Sequence, residues 1–368
     1  MKVKLGDLCN IVSGGTPSRS KIEYWEGGDI PWIKIGNIKE KYVCEANEFI
    51  TKAGLDNSSA KLLPSGTVLY TIFATLGEVG ILNIEACTNQ AIAGLTIKDS
   101  SLLATDYLYY YLKSKKEYVN NLGRGVAQNN INMSILRSFE VELPDINKQR
   151  NIVNTLDRVS HLLTLRQQQL EKLDLLVKSR FVEMFGDLKD KSSEEVKVAT
   201  IEDVCSMIKD GTHQTPTYTE DSINGYKFLS SKDVMGQKID WTNIKYIPKD
   251  LHEKLYASIK PQRNDILMSK NGVNYGVAAV NDTDEVFDIY VSLALLRPKE
   301  VINPIYFRCV LNSLDTKRQF DSNIKGIGVP NLHLGEIKKT KILLPPLPLQ
   351  NQFATFVQQV DKSKFSLL

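Results

Sequence analysis

The chain has 368 residues, 42% of them hydrophobic and 24% charged, with a formal net charge of +3. That composition is globular, with material for two or three cores, and no apolar run reaches the roughly 18 residues of a membrane span. A pI near 8.4 falls short of the bulk basicity of many nucleic-acid binders, so a nucleic-acid role has to be argued from organisation and motifs.

The N-terminus, MKVKLGDLCN, lacks the apolar core of a signal peptide, and a cytoplasmic location is expected. Cys9, Cys44, Cys87, Cys205 and Cys309 form no C-x-x-C pair and read as reduced residues rather than metal ligands or disulfides. Residues 1–146 form a first domain. A Gly-Thr turn at Gly15-Thr16 precedes a strand expected over Pro31–Ile38. Turn chemistry at Leu62–Thr71 leads into another strand, and Thr75–Leu82 reads as a Gly-bearing loop with a returning strand. A helix is expected over Ala104–Asn121. There the run Tyr109-Tyr110-Tyr111 reads as packing rather than as a base-stacking platform.

Residues 147–187 then carry no Pro and no Gly before Gly186. Leu156, Leu163, Leu170, Val177 and Met184 recur every seven residues. Ile152, Val159 and Leu173 make a second row, interrupted by Arg166 and Arg180. This a/d pattern predicts a helix that supercoils against a partner, with Gly186 ending it. The two arginines either set register with acids on the partner helix or snorkel to solvent.

Residues 188–346 repeat the first domain. Leu5–Cys9 matches Ile201–Cys205, Gly15-Thr16 matches Gly211-Thr212, and Trp32–Ile38 matches Phe228–Val234, all 196 positions apart. Arg124–Ile131 matches Lys325–Leu332, Phe139–Pro144 matches Thr340–Pro345, and Gln149 matches Gln350, all 201 apart. Residues 347–368 form a second spacer helix, shortened relative to the first, with Phe353, Val357 and Val360 on its seam. The fold expected is mixed α/β (α+β): two domains with a curved, mainly antiparallel sheet, two long antiparallel coiled-coil helices, and an internal pseudo-twofold.

GGTPSRSKIEYWEGGDIPWIKIGNI in the first domain, and DGTHQTPTY, LSSKDVMGQKID and DILMSKNGVNYG in the second, resemble target-recognition domains of the specificity (S) subunit of type I restriction–modification systems. LPDINKQRNIVNTLD and LPPLPLQNQFATFVQQVD resemble that family's domain-to-helix junctions, and the resemblance covers essentially the whole chain. It implies a non-enzymatic reader of a bipartite site on double-stranded DNA. Each domain would take one half, and the helices would set the gap and dock two methyltransferase (M) subunits. Restriction/translocase (R) subunits would join them. S-adenosylmethionine, ATP and magnesium would belong to those partners, with no cofactor, metal or membrane contact in this chain.

Phosphate contacts fix register, and amide or cationic groups at base edges read sequence. On that logic Thr16, Ser18, Arg19, Lys21, Lys34, Asn37, Arg124, Gln128 and Asn129 are DNA-facing candidates in the first domain. Thr212, His213, Gln214, Lys232, Lys270, Asn271, Asn274, Tyr275 and Lys325 are those of the second. The competing readings are solvated turns, an exposed sheet face for Lys34 and Asn37, and capping of the helix at Met133–Leu136 by Asn130 or Asn132. No phosphate-binding G-x-x-x-x-G-K-[ST], N-P-P-Y-like, G-x-S-x-G or H-E-x-x-H segment occurs. The functional alternatives are a methyltransferase or endonuclease with diverged catalytic motifs, and a coiled-coil scaffold with no nucleic-acid role.

Overall fold

Short strands and one-turn helices alternate from the first residues, as the Gly- and Pro-punctuated sequence requires. The computed structural model describes residues 1–123, 130–324 and 330–367. Arg124, Gln128, Asn129 and Lys325 lie outside the described residues. The backbone divides into two units, Met1–Thr164 and Leu165–Leu368.

The first unit runs β1 (Lys2–Lys4), α1 (Leu5–Leu8), β2 (Cys9–Ser13), β3 (Ile30–Ile33), β4 (Tyr42–Val43), β5 (Glu48–Ile50), α2 (Lys52–Asp56), β6 (Val68–Thr71), β7 (Val79–Leu82), β8 (Cys87–Thr88) and β9 (Ile92–Ile97). Then come α3 (Thr105–Ser114), α4 (Lys116–Gly123), α5 (Met133–Arg137), β10 (Glu140–Glu142) and the start of α6 (Ile146–Phe185). The main sheet has the order β2-β9-β6-β7-β4, and a smaller one the order β5-β3-β8. Most pairings are antiparallel, but β3–β8 and β4–β7 are parallel.

After α6 the second unit continues with β11 (Lys197–Thr200), α7 (Ile201–Val204), β12 (Cys205–Asp210), β13 (Tyr226–Leu229), β14 (Lys245–Ile247), α8 (Lys249–Ser258), β15 (Ile266–Ser269), β16 (Ala278–Val280), β17 (Phe287–Ile289) and β18 (Leu293–Pro298). It ends with α9 (Pro304–Leu311), α10 (Leu314–Asn323), α11 (Leu334–Lys339), β19 (Lys341–Leu344) and α12 (Leu347–Phe365). Its sheets, β12-β18-β15-β16 and β14-β13-β17, repeat the order of the first unit.

The central strands are buried on both faces, so they read as apolar runs rather than alternating ones. Val68 and Tyr70 of β6 join the cluster under α3 with Leu108 and Leu112. Leu69, between them, joins the cluster with Ile33, Val43 and Ile92. In the second unit Ile266 and Met268 face Tyr306 and Phe307, while Leu267 faces Leu229 and Phe287.

β4 has no counterpart in the second unit's sheets, and the register of the shared strands repeats until the backbone absorbs a residue. Cys9 pairs with Ile97, and Cys205 with Pro298. A bulge between Cys205 and Met207 then adds one residue to β12, so Ser13 opposite Ala93 corresponds to Asp210 opposite Ala294. The Gly15–Gly211 match is therefore corrected by one position. Gly14 and Gly211 are the structural pair: their N–H groups donate to Ile92 O at 3.0 Å and Leu293 O at 3.2 Å. A Cβ at either would meet a carbonyl oxygen at 2.3 Å, of Asn89 and Ile289 respectively. Both positions require glycine because two backbones cross there.

Two further expectations change, and one open alternative closes. The strand expected over Pro31–Ile38 stops at Ile33, and a 3-10 turn takes Ile35–Asn37. Asn37 Oδ1 accepts the Lys34 N–H at 2.9 Å, and Asp233 caps Ser230 in the same way at 2.7 Å. Lys34 and Asn37 thus cap a turn rather than alternate along a strand. The helix expected over Ala104–Asn121 divides at Lys115. Asn132, not Asn130, caps α5, accepting from Ile135 N at 2.9 Å. The tyrosine run packs: Tyr109 is 6% exposed, and the Tyr111 hydroxyl donates to Glu140 O at 2.9 Å.

Two fully buried glutamines fasten the long helices to their domains. Gln149 Nε2 donates to Leu102 O and Pro144 O at 2.7 and 2.9 Å, and its Oε1 accepts from Ala104 N. Gln350 makes the same set with Val301 O, Pro345 O and Asn303 N. A burial this complete is tolerated because every polar atom is paired.

α6 is a single helix of 40 residues, about 60 Å long. Gly186, at φ +74°, takes the left-handed conformation that ends it, its N–H reaching Val182 O at 2.8 Å. Within the second unit α12 packs antiparallel to the C-terminal half of α6. Phe353 sits 5.6 and 5.4 Å from the rings of Phe181 and Phe185, while Lys364, eleven residues on, pairs with Asp174 at 2.5 Å. Phe353, Val357 and Val360 are buried, as expected of seam residues, and Leu170, Leu173 and Val177 are half-buried. The anchors on α6 are Phe181 and Phe185, which the heptad count passed over. In the first unit Ile152 is half-buried, but Leu156, Val159 and Leu163 are 36, 48 and 66% exposed. Those three are not the covered seam expected of them: the 19 residues of α12 are spent on the other half of α6. Arg180 pairs within its own helix, with Glu183 at 2.8 Å.

Candidate nucleic-acid interface

The loop after β2 carries four of the first-domain candidates, and β3 and β5 position it. The indole of Trp32, 3% exposed, donates to Gly15 O at 2.9 Å, and the Trp25 indole donates to Ser18 O at 3.1 Å. These bonds hold the loop against the small sheet. Thr16 donates to Gln90 Oε1, just after β8. Ser18 and Ser20 share a hydrogen bond at 2.8 Å. The Arg19 guanidinium lies 3.5 Å from the ring centre of Trp25 and 5.1 Å from that of Trp32.

Arg19 and Lys34 both bind the carboxylate of Glu48. Hydrogen bonds from Lys34 and then Arg19 hold that carboxyl below its ordinary pKa. Lys21 donates to the Tyr24 hydroxyl at 2.9 Å. The result is a rim of Thr16, Ser18, Arg19 and Lys34 over two tryptophans. Arg19, Lys34 and Glu48 retain 54, 43 and 27% side-chain exposure, so the cluster faces solvent with a net charge of +1.

The second unit builds the same place with different chemistry. Thr212 N–H donates to Ile289 O at 3.0 Å, as Gly15 donates to Thr88 O at 2.8 Å. Thr212 Oγ1 caps Gln214 N at 3.2 Å. His213 is 76% exposed, with Nε2 3.7 Å from Asp210. Lys232 bonds Asp233 and Asn243 O at 2.7 and 2.8 Å and stays half-exposed. Asn274 is exposed, and its carbonyl accepts from the Ser269 hydroxyl at 2.8 Å.

Two candidates face inward, against expectation. Lys270 is 4% exposed and its ammonium pairs with Asp210. Its N–H and C=O bond Ser292 O and Leu332 N, as those of Ile72 bond Ala91 O and Ile131 N. Lys270 therefore occupies the place of a core isoleucine, and Asp210 that of Ser13. Tyr275 is 9% exposed and its hydroxyl donates to Asp321. Asn271 forms a bridge to Asn331, and its Oδ1 is buried without a partner among the described residues.

Sequence reasoning missed Glu48, Trp25, Gln90, Asp210 and Lys245. Lys245 stands across from Phe228 in β14, as Glu48 stands across from Trp32 in β5. Its ammonium lies 4.0 Å from the ring centre of Tyr218. Trp25 and Asp210 lie within the segments GGTPSRSKIEYWEGGDIPWIKIGNI and DGTHQTPTY, whereas Glu48, Gln90 and Lys245 lie in neither, and tertiary pairing brings them to the loop. A buried His252–Asp288 contact at 2.6 Å, with Tyr226 stacked 3.7 Å away, secures α8 to β17, and burial raises the Asp288 carboxyl. Among the described residues no group of three or more His, Cys, Asp or Glu side chains could hold a metal. No described helix is long and apolar enough to cross a membrane.

The chain is 27% identical over 379 residues to the Type I restriction enzyme MjaIX specificity subunit of Methanocaldococcus jannaschii, covering 96% of this chain and 85% of the relative. It is 28% identical over 184 residues to the EcoR124I/EcoR124II specificity subunit of Escherichia coli, covering 45% of each. In fold it matches the S subunit of a type I system from M. genitalium with a TM-score of 0.56 at 16% identity, covering all of this chain and 90% of that one. A chain from a solved structure on complex assembly of the type I restriction–modification system matches with a TM-score of 0.55 at 17% identity, covering all of this chain and 91% of that one. The family model for the type I restriction modification DNA specificity domain matches twice, over residues 1–175 and 193–368, and the chain belongs to that family.

Proposed function

We propose that this chain is the non-catalytic DNA-recognition subunit of a type I restriction–modification complex, each unit reading one half of a bipartite site. The observation that carries this reading is a fold given twice with unlike residues at the same loop. The loop holds Thr16, Ser18 and Arg19 in one unit and Thr212, His213 and Gln214 in the other, and Glu48 stands beside it in the first unit where Lys245 stands in the second. Two copies of one scaffold suit the near-symmetry of a duplex, while unlike side chains suit unlike half-sites. The spacer helices set the gap and dock two methyltransferase subunits, which restriction/translocase subunits join. S-adenosylmethionine, ATP and magnesium act on those partners, and the complex works in the cytoplasm on double-stranded DNA.

The test is binding by the chain assembled with its methyltransferase subunits. The reading expects salt-dependent affinity with a preference for one bipartite sequence. Methyl transfer by the isolated chain, or an assembled complex indifferent to sequence, would overturn it.

A further inference from the structure

The two units carry opposite charges at one structural position. Glu48 pairs across β5–β3 with Trp32, and Lys245 pairs across β14–β13 with Phe228. The surroundings are otherwise alike. Each site has a cation over an aromatic ring that meets the β3 or β13 aromatic edge-on: Arg19 on the half-buried Trp25 beside Trp32, and Lys245 on the exposed Tyr218 beside Phe228. The ring-to-ring distances are 5.0 and 6.1 Å.

In the first unit Glu48 binds both neighbouring cations, Arg19 and Lys34. In the second, Lys245 is exposed, and no carboxylate lies within ion-pairing distance of it among the described residues. We propose that Glu48 is an electrostatic brake on DNA binding by the first unit. It holds Arg19 and Lys34 in the free protein and cedes them to backbone phosphate on binding, whereas Lys245 at the matching position of the second unit meets phosphate directly.

The chemistry follows from what each group accepts. A guanidinium and an ammonium that share one carboxylate are already oriented together, and phosphate offers the same charge and acceptor geometry. Exchange costs the Glu48 pairs, and the displaced carboxylate stays beside the phosphate. The first unit therefore gains one fewer net charge than its cations suggest. Neutralising Glu48 restores that charge; neutralising Lys245 removes one. The asymmetry lets the second unit supply more of the sequence-independent grip and leaves the first more dependent on base contacts.

This inference rests on the DNA-reading function, and the experiment separates the two. The chain is assembled with its methyltransferase subunits, and affinity for a duplex carrying the methylated motif is measured from 50 to 200 mM salt. Glu48→Gln, which keeps the side-chain shape, is expected to tighten binding at low salt. It should steepen the slope of log K against log salt by about 0.9, an extra loss of roughly threefold across that range. Lys245→Gln is expected to flatten the slope by about the same amount. Melting curves matched to the parent chain exclude misfolding.

Unchanged slope and affinity for Glu48→Gln, with Arg19→Ala still weakening binding, would overturn the brake and leave the DNA reading intact. A changed base preference in one half-site at constant slope would also overturn it, making Glu48 an acceptor for a cytosine amino group. Absence of salt-dependent binding by the parent complex would remove the DNA reading itself.

Discussion

The Lys270–Asp210 pair offers a perturbation whose outcome the molecule has already rehearsed. The ammonium side chain is 5% exposed and the carboxylate 19%, and the first unit fills the two positions with Ile72 and Ser13. Two charges removed from water repay their desolvation only through each other. Asp210→Ser leaves the almost fully buried ammonium unpaired, and should cost toward the upper end of ~3–5 kcal/mol. Lys270→Ile leaves a carboxylate that keeps some contact with water and lies near His213, so its cost should fall nearer ~3 kcal/mol. The double variant recreates the chemistry of the first unit and should cost less than ~1 kcal/mol, or stabilise. The assay is a double-mutant cycle read by hydrogen exchange of the β15 and β18 amides, which reports opening of the second unit alone. Single costs under ~1 kcal/mol, or a double cost equal to their sum, would refute the reasoning.

Three further outcomes follow from the geometry. Phe353→Ala removes the ring between Phe181, Phe185 and Tyr306 and should cost ~3–5 kcal/mol, with exchange accelerated in α12 and the last turns of α6. Gln350→Leu leaves the buried Pro345 carbonyl and the part-buried Val301 carbonyl and Asn303 N–H without their partner, so local stability at the Pro345 junction should fall by about 3 kcal/mol; Gln149→Leu should do the same in the first unit. Of the five thiols only Cys44 is exposed and Cys309 is half-buried; burial pushes Cys9 and Cys205 up to about 12 and Cys87 up to about 11, and raises Cys309 as well. Their thiolate fraction at pH 8 is therefore small, and mass spectrometry after brief alkylation of the native chain should find Cys44 labelled alone.

The repeat was legible because it lives in apolar patterning and in a few residues with no substitute. Gln149 and Gln350 stood out at one separation, and each proved to be a saturated buried clamp. The long helix and its Gly186 stop were legible from heptads and from the missing Gly and Pro. The bulge after Cys205 was not, because an extra residue in a strand changes pairing without changing composition. Lys34 and Asn37 were misread because apolar alternation in WIKIGNI suits a strand as well as a strand followed by a capped turn. Lys270 looked like a surface lysine beside a loop glycine; its burial depends on Asp210, 60 residues earlier in the sequence. Glu48 escaped for the same reason, since strand pairing alone sets it against Arg19 and Lys34.

The central claim is that each unit reads its own half of a divided DNA site. Methylome sequencing of cells expressing this chain with its methyltransferase subunits tests it most directly when repeated after residues 1–145 are exchanged for those of another family member. The account predicts one bipartite motif whose first or second half changes while the other half and the gap persist. A single undivided motif, or a swap that rewrites both halves, would contradict it.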